Sequence, residues 1–227
     1  MEERVSIFGA ETLFSIPVEQ FKPSSIASVE KLLNSEGYDV SFERLDYLFS
    51  QNCAERERQI YATRKEMTLN ALVASVLDAL EIDDVDIIIS STELLAGDFL
   101  SSIKPYPGVY ELLSSLKEKG RAIALLWNAP MGIPHSLLSE RMEYFSLRDM
   151  FDDIQYSSEN GAVRPHARPL RYALSNLNAS AAEATVVTGL LQEPELLQRL
   201  GVRRIIGYRI DAFGTSCNSV EEMVALL

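Results

Sequence analysis

Four short, nearly unbroken apolar runs constrain this chain more than any other feature. They are residues 4–8 (RVSIF), 121–127 (RAIALLW), 184–189 (ATVVTG) and 203–209 (RRIIGYR). Each is too short for a helix and ends in small or polar residues. A strand wet on one face alternates apolar with polar side chains. Continuous apolarity instead marks strands covered on both faces, as in a parallel sheet between helices. Segments with helical spacing separate the runs. In residues 108–119, Val109, Leu112, Leu113 and Leu116 share one face, and Gly120 follows as a stop. Segments 169–177 and 194–200 open with proline, which suits a first helical turn. The alternation predicts an open α/β sheet with right-handed crossovers.

Residues 15–102 have a different texture. They read as consecutive amphipathic helices over 25–35, 41–65, 68–80 and 92–103, divided by acidic loops such as 81–86. In the third, Leu69, Leu72, Val73, Val76 and Leu80 form one apolar stripe. The expected organisation is a core of residues 1–14 and 103–227, with a helical domain of residues 15–102 inserted after the first strand. A chain of 227 residues, 47% hydrophobic and 24% charged, buries a sizeable core and is not disordered.

The net charge of −12 argues against nucleic acid or an anionic membrane as partner, because both are polyanions. No stretch approaches the roughly 18 apolar residues of a membrane span. The N-terminus lacks a long apolar signal region, so the expected location is cytoplasmic. Cys53 and Cys217 stand far apart without metal-ligand spacing and read as free thiols of a reducing compartment.

In an open parallel sheet, ligands gather at the carboxyl ends of the strands. Here those ends carry residues 9–13, 127–129, Arg164 with Pro165, and 188–193. In order and wording the chain resembles the haloacid dehalogenase-like (HAD) superfamily, a Rossmannoid core with a helical cap inserted after the first strand. The most specific piece is residues 104–120 (KPYPGVYELLSSLKEKG), similar to the family's return from cap to core. Residues 164–174 (RPHARPLRYAL) resemble its third motif, and 219–227 its closing helix.

The resemblance implies two aspartates, separated by one residue, after the first strand: a nucleophile that also binds magnesium, then a general acid/base. This chain has Gly9, Ala10 and Glu11 there. Glycine cannot form a covalent intermediate. Glu11 keeps a carboxyl group, but its extra methylene displaces it by about an angstrom, enough to harm positioned catalysis. At the second motif, Trp127 stands where the family has a hydroxyl, followed by a matching Asn128. Trp127 reads either as packing that fills the old phosphate pocket or as a platform for another ligand. Arg164 replaces the third motif's lysine and could grip an oxyanion or lie in a salt bridge. At the fourth motif, Val187 and Thr188 replace Gly-Asp, and Glu193 takes the place of a later aspartate.

Magnesium favours octahedral oxygen ligation, and losing carboxylates at Gly9 and Thr188 leaves only Glu11 and Glu193. The expectation is therefore a catalytically degenerate HAD-like protein with no metal or other cofactor. It would serve as a binding or assembly component, with a protein partner or small ligand at the cap–core cleft. Glu11, Asn128 and Arg164 are the candidate ligand-binding residues. The alternative is a hydrolase of small phosphate esters using Glu11, Asn128, Arg164 and Glu193 with magnesium. Other constellations are poor. His135 and His166 read as loop residues without companion ligands, and Cys53 lacks a nearby histidine. No dinucleotide fingerprint surrounds Gly207 or Gly214. Residues 55–58 and Arg203 with Arg204 read as solvated faces.

Overall fold

The computed structural model describes residues 4–16 and 21–227; residues 1–3 of the expected core and 17–20 of the expected cap lie outside the described residues. The chain opens with β1 (Val5–Gly9), a single turn α1 (Ala10–Leu13) and β2 (Phe14–Ser15). Four helices follow: α2 (Pro23–Ser35), α3 (Phe42–Thr63), α4 (Leu69–Asp78) and α5 (Val85–Ser102). Next, β3 (Lys104–Pro105) pairs antiparallel with β2, so the two chain crossings into the helical cap are tied together at their base. The core then continues as α6 (Val109–Glu118), β4 (Ala122–Trp127), α7 (His135–Tyr144), β5 (Asp153–Tyr156), α8 (Ser157–Asn160) and α9 (Ala167–Asn176). It ends with β6 (Ala184–Thr188), α10 (Glu193–Arg199), β7 (Arg204–Tyr208), β8 (Ser216–Cys217) and α11 (Val220–Leu226).

The six-stranded sheet runs β5-β4-β1-β6-β7-β8, with every described pairing parallel. Strand β1 lies between β4 and β6, so the chain builds outward first on one side of it and then on the other. That reversal opens a crevice at the carboxyl ends. The register sets Gly9 beside Leu126 and Phe8 beside Val187, which brings Gly9, Trp127 and Thr188 to one edge.

Alternation along the strands divides the core. Val5, Ile7, Ala124, Leu126 and Val186 face α9 and α10 through Leu170, Ala173, Leu174 and Leu197. Phe8, Ile123, Leu125, Trp127 and Val187 face the other way, and their cluster is continuous with the interior of the cap through residues such as Phe14, Phe49, Leu72 and Leu95. Cap and core thus share one hydrophobic interior.

All four apolar runs are strands within a residue or so of the expected limits. Differences elsewhere have physical reasons. Helix α5 begins at Val85, seven residues before the expected 92, because the Asp84 side chain caps it by accepting from the Asp86 and Ile87 amides. Strand β5 was not expected: its sequence DIQY is too polar to read as a covered strand, which fits its place at the sheet edge. His135 opens α7 rather than lying in a loop, and His166 caps α9, its Nδ1 accepting from the Arg168 amide at 3.0 Å. Arg56 is not solvated but 2% exposed. No described helix is long and apolar enough to cross a membrane.

Candidate functional site

The edge where β1, β4 and β6 end is organised around one arginine. Arg164 sits in the loop before α9, and Asn128, just past β4, fixes its backbone. The Arg164 amide donates to Asn128 Oδ1 at 2.8 Å, and Asn128 Nδ2 donates to the Arg164 carbonyl at 3.2 Å. The side chain then runs under the strand ends, 2% exposed.

There the guanidinium makes six contacts. Nε donates to Glu193 Oε1 at 2.8 Å, and Nη1 to Glu11 Oε2 at 3.0 Å and the Leu126 carbonyl at 3.1 Å. Nη2 donates to Glu11 Oε1 at 3.3 Å, to Thr188 Oγ1 at 3.2 Å and to Glu193 Oε2. A guanidinium has five N–H donors, and all find acceptors within the chain. Both carboxylates are held in the bidentate fork that arginine favours. Burial alone would lower the Arg164 pKa, but the Glu11 and Glu193 charges more than offset it, so the group is held more firmly protonated than usual.

The neighbours are also positioned. Glu193 is the first residue of α10 and 2% exposed, and the Thr188 hydroxyl donates to its Oε2. Glu11 lies in α1, where Oε1 accepts from the Gly189 amide at 2.9 Å. It is the member of the group that reaches solvent, its side chain 27% exposed.

Gly9 completes the arrangement by what it leaves out. Its backbone, at φ −69° and ψ 136°, is open to any residue, so glycine is not needed for conformation. A Cβ there would lie 2.5 and 2.6 Å from the two Nη atoms of Arg164 and 2.3 Å from Glu11 Oε1. The space a side chain at position 9 needs is filled by the guanidinium and the Glu11 carboxylate that it holds.

Trp127, 1% exposed, stacks on Phe14 at 5.0 Å between ring centroids and 18° between planes, with Tyr156 at 6.0 Å on a tilt. Its indole N–H has no partner among the described residues. The start of β2 therefore meets the end of β4 through packed aromatic faces.

The seven residues singled out in the sequence, Gly9, Glu11, Trp127, Asn128, Arg164, Thr188 and Glu193, all come to this edge. Those that sequence reasoning missed lie where the cap meets the core. Arg56 of α3 donates through Nη2 to Glu66 at 2.9 Å and through Nε to the Met67 carbonyl at 3.1 Å. The second Glu66 oxygen accepts from the Ser157 hydroxyl, which in turn accepts from the Ala129 amide at 2.8 Å. Both charged side chains of this pair are almost fully buried. Beside it, the backbones of Lys65 and Ala162 form an antiparallel bridge, with Glu66 donating to Gly161 at 3.1 Å and Val163 to Arg64 at 2.9 Å. Arg64 also reaches Gln192 at 2.8 Å. The signal for Arg56 was its position: it continues the buried face of Leu45 and Phe49 at helical spacing.

The chain is similar in fold to several solved structures. A 2-haloacid dehalogenase from Pseudomonas syringae pv. Tomato DC3000 superposes with a TM-score of 0.66 at 17% identity, covering 100% of this chain and 99% of that one. An HAD phosphatase from Thermococcus onnurineus gives 0.62 at 15% identity over 98% and 97% of the two chains. An HAD-superfamily hydrolase from Ehrlichia chaffeensis gives 0.54 at 17% identity over 100% and 97%. No curated protein matches the chain in sequence. The family model for haloacid dehalogenase-like hydrolases matches residues 17–189, beginning just after the segment that carries Gly9 and Glu11. With most of its length matched, the chain belongs to the haloacid dehalogenase-like hydrolase family.

Proposed function

We propose that this chain is a catalytically degenerate member of its family, kept as a binding or assembly component and without magnesium-dependent phosphatase activity. One observation carries the reading: the Arg164 guanidinium and the Glu11 carboxylate together fill the space where even the Cβ of a nucleophile at position 9 would lie. Covalent hydrolysis needs a carboxylate or comparable nucleophile facing an open pocket. Gly9 offers none, and the nearest carboxylates, Glu11 and Glu193, are already neutralised by Arg164.

Magnesium does not fit these residues. A carboxylate is lacking at positions 9 and 188, and the remaining acidic oxygens surround an organic cation instead. The competing reading, an altered hydrolase built on Glu11, Asn128, Arg164 and Glu193, would require Arg164 to release its protein partners before holding a phosphate. Asn128 is likewise committed, to the Arg164 backbone.

The test is release of phosphate from a panel of phosphorylated metabolites, and of halide from 2-haloacids, with excess magnesium. The parent protein is compared with Glu11→Ala. No turnover above the variant's background is expected. Turnover in the parent that disappears in Glu11→Ala would overturn the proposal and make Glu11 a working acid.

A further inference from the structure

We infer that Arg164 is the resident cation of this edge: its guanidinium takes the place of a divalent metal, so the folded protein neither needs nor binds one there. Six oxygen atoms converge on it, both of Glu11, both of Glu193, Thr188 Oγ1 and the Leu126 carbonyl. Six oxygens, two carboxylates among them, are the kind of set that a hard divalent ion collects. The arrangement belongs to an organic cation, because the oxygens are spread over three nitrogens of a planar group, five of the six contacts at 2.8 to 3.3 Å, whereas magnesium gathers its ligands around one point at about 2.1 Å and calcium at about 2.3–2.6 Å.

Two facing carboxylates, one of them buried, need a positive charge between them, since an uncompensated buried charge is strongly destabilising. Here that charge is part of the chain. It is anchored from behind as well: Asn128 brackets the Arg164 backbone, and the adjacent Val163 amide is paired with Arg64 of the cap connection. A metal ion would have to displace a tethered cation that already satisfies every acceptor. The charge cannot be removed by a chelator and does not depend on metal supply.

The inference rests on the same geometry as the proposed function, yet the two fail separately. Metal-independent turnover would end that proposal and leave this one; bound metal in an inactive chain would do the reverse. The first measurement is Mn²⁺ binding to the intact protein by electron paramagnetic resonance, with thermal melts in EDTA and in excess Mg²⁺. No bound Mn²⁺ is expected, with melting temperatures agreeing within about 1 °C, because a ligand that does not bind the native state cannot stabilise it. One Mn²⁺ per chain, lost in Glu193→Gln, would overturn the inference.

The second measurement uses Arg164→Ala, which empties the cage. Its melting temperature should rise with Mn²⁺ or with about 10 mM guanidinium, far below denaturing concentrations, while the parent's does not move. A folded Arg164→Ala protein as stable as the parent and indifferent to both cations would also overturn it. Should that variant fail to fold, Arg164→Lys, which keeps the charge, is expected to fold and still exclude Mn²⁺; Mn²⁺ in that variant would count against the inference.

Discussion

The Gly9–Arg164 contact yields a double-mutant cycle whose sign can be worked out beforehand. Alanine at position 9 suits the backbone, since φ −69° and ψ 136° lie in the extended region. Losing a glycine there should even stabilise the fold by about 0.4–1 kcal/mol through the unfolded state. Against this stands a Cβ placed 2.5 and 2.6 Å from the Arg164 Nη atoms. The side chain cannot simply swing away, because all its donors are committed. Overpacking a tight site costs about 1–3 kcal/mol, so Gly9→Ala should lose about 1–2 kcal/mol net.

Arg164→Ala removes the cation from the buried Glu193 and should cost about 3–5 kcal/mol. Once the guanidinium is gone the alanine methyl meets only the Glu11 carboxylate, which keeps the Gly189 amide as partner but, released from Arg164, can shift into the vacated space. The double variant should therefore be no less stable than Arg164→Ala alone, giving a favourable coupling of about 1–2 kcal/mol. Equilibrium urea denaturation followed by circular dichroism measures all three variants. A Gly9→Ala protein at or above parental stability, or strictly additive effects, would refute the reasoning.

Other expectations concern the surroundings. Glu66→Gln breaks the buried pair with Arg56 of α3, beside the Glu66 contact to Ser157 of the core, and should cost about 3–5 kcal/mol in urea; a loss under about 1 kcal/mol would show that the pair contributes little. Asn128→Ala removes two hydrogen bonds to the Arg164 backbone and should cost about 1–3 kcal/mol, measured the same way. Burial and, less strongly, Glu222 push the Cys217 thiol from 9.0 up to about 11. A raised folded value means that the native state holds its proton longer, so this contribution is complete below pH 9 and lost as pH rises towards 11. Cys217→Ser melts across that range should show a shallower alkaline decline than the parent's, and an equal slope would contradict the assignment.

Much of the fold was legible because parallel strands covered on both faces leave uninterrupted apolar runs, as in AIALLW of β4. Strand β5 escaped because an edge position tolerates Asp153 and Gln155. The start of α5 was hidden by acidic residues that look like a loop, although Asp84 is its cap. At the site, each residue was visible through its place at a strand end, whereas their meeting was not. Glu11 and Arg164 are 153 residues apart, and nothing in a sequence says that an arginine will be buried between two glutamates. Arg56 is the opposite case: a charged run suggested solvent, while its helical phase pointed inward.

Trp127 is the only tryptophan in the chain; it packs on Phe14, in the strand that leads into the cap, and its N–H is unpaired among the described residues. Its emission should accordingly be blue, since a dry, apolar surrounding denies the excited indole the solvent relaxation that shifts emission to the red. Any separation of the cap that wets the Phe14 stack should redden and broaden that band while the backbone signal stays unchanged. The molecule therefore carries a native optical gauge at the place where cap movement would first be felt.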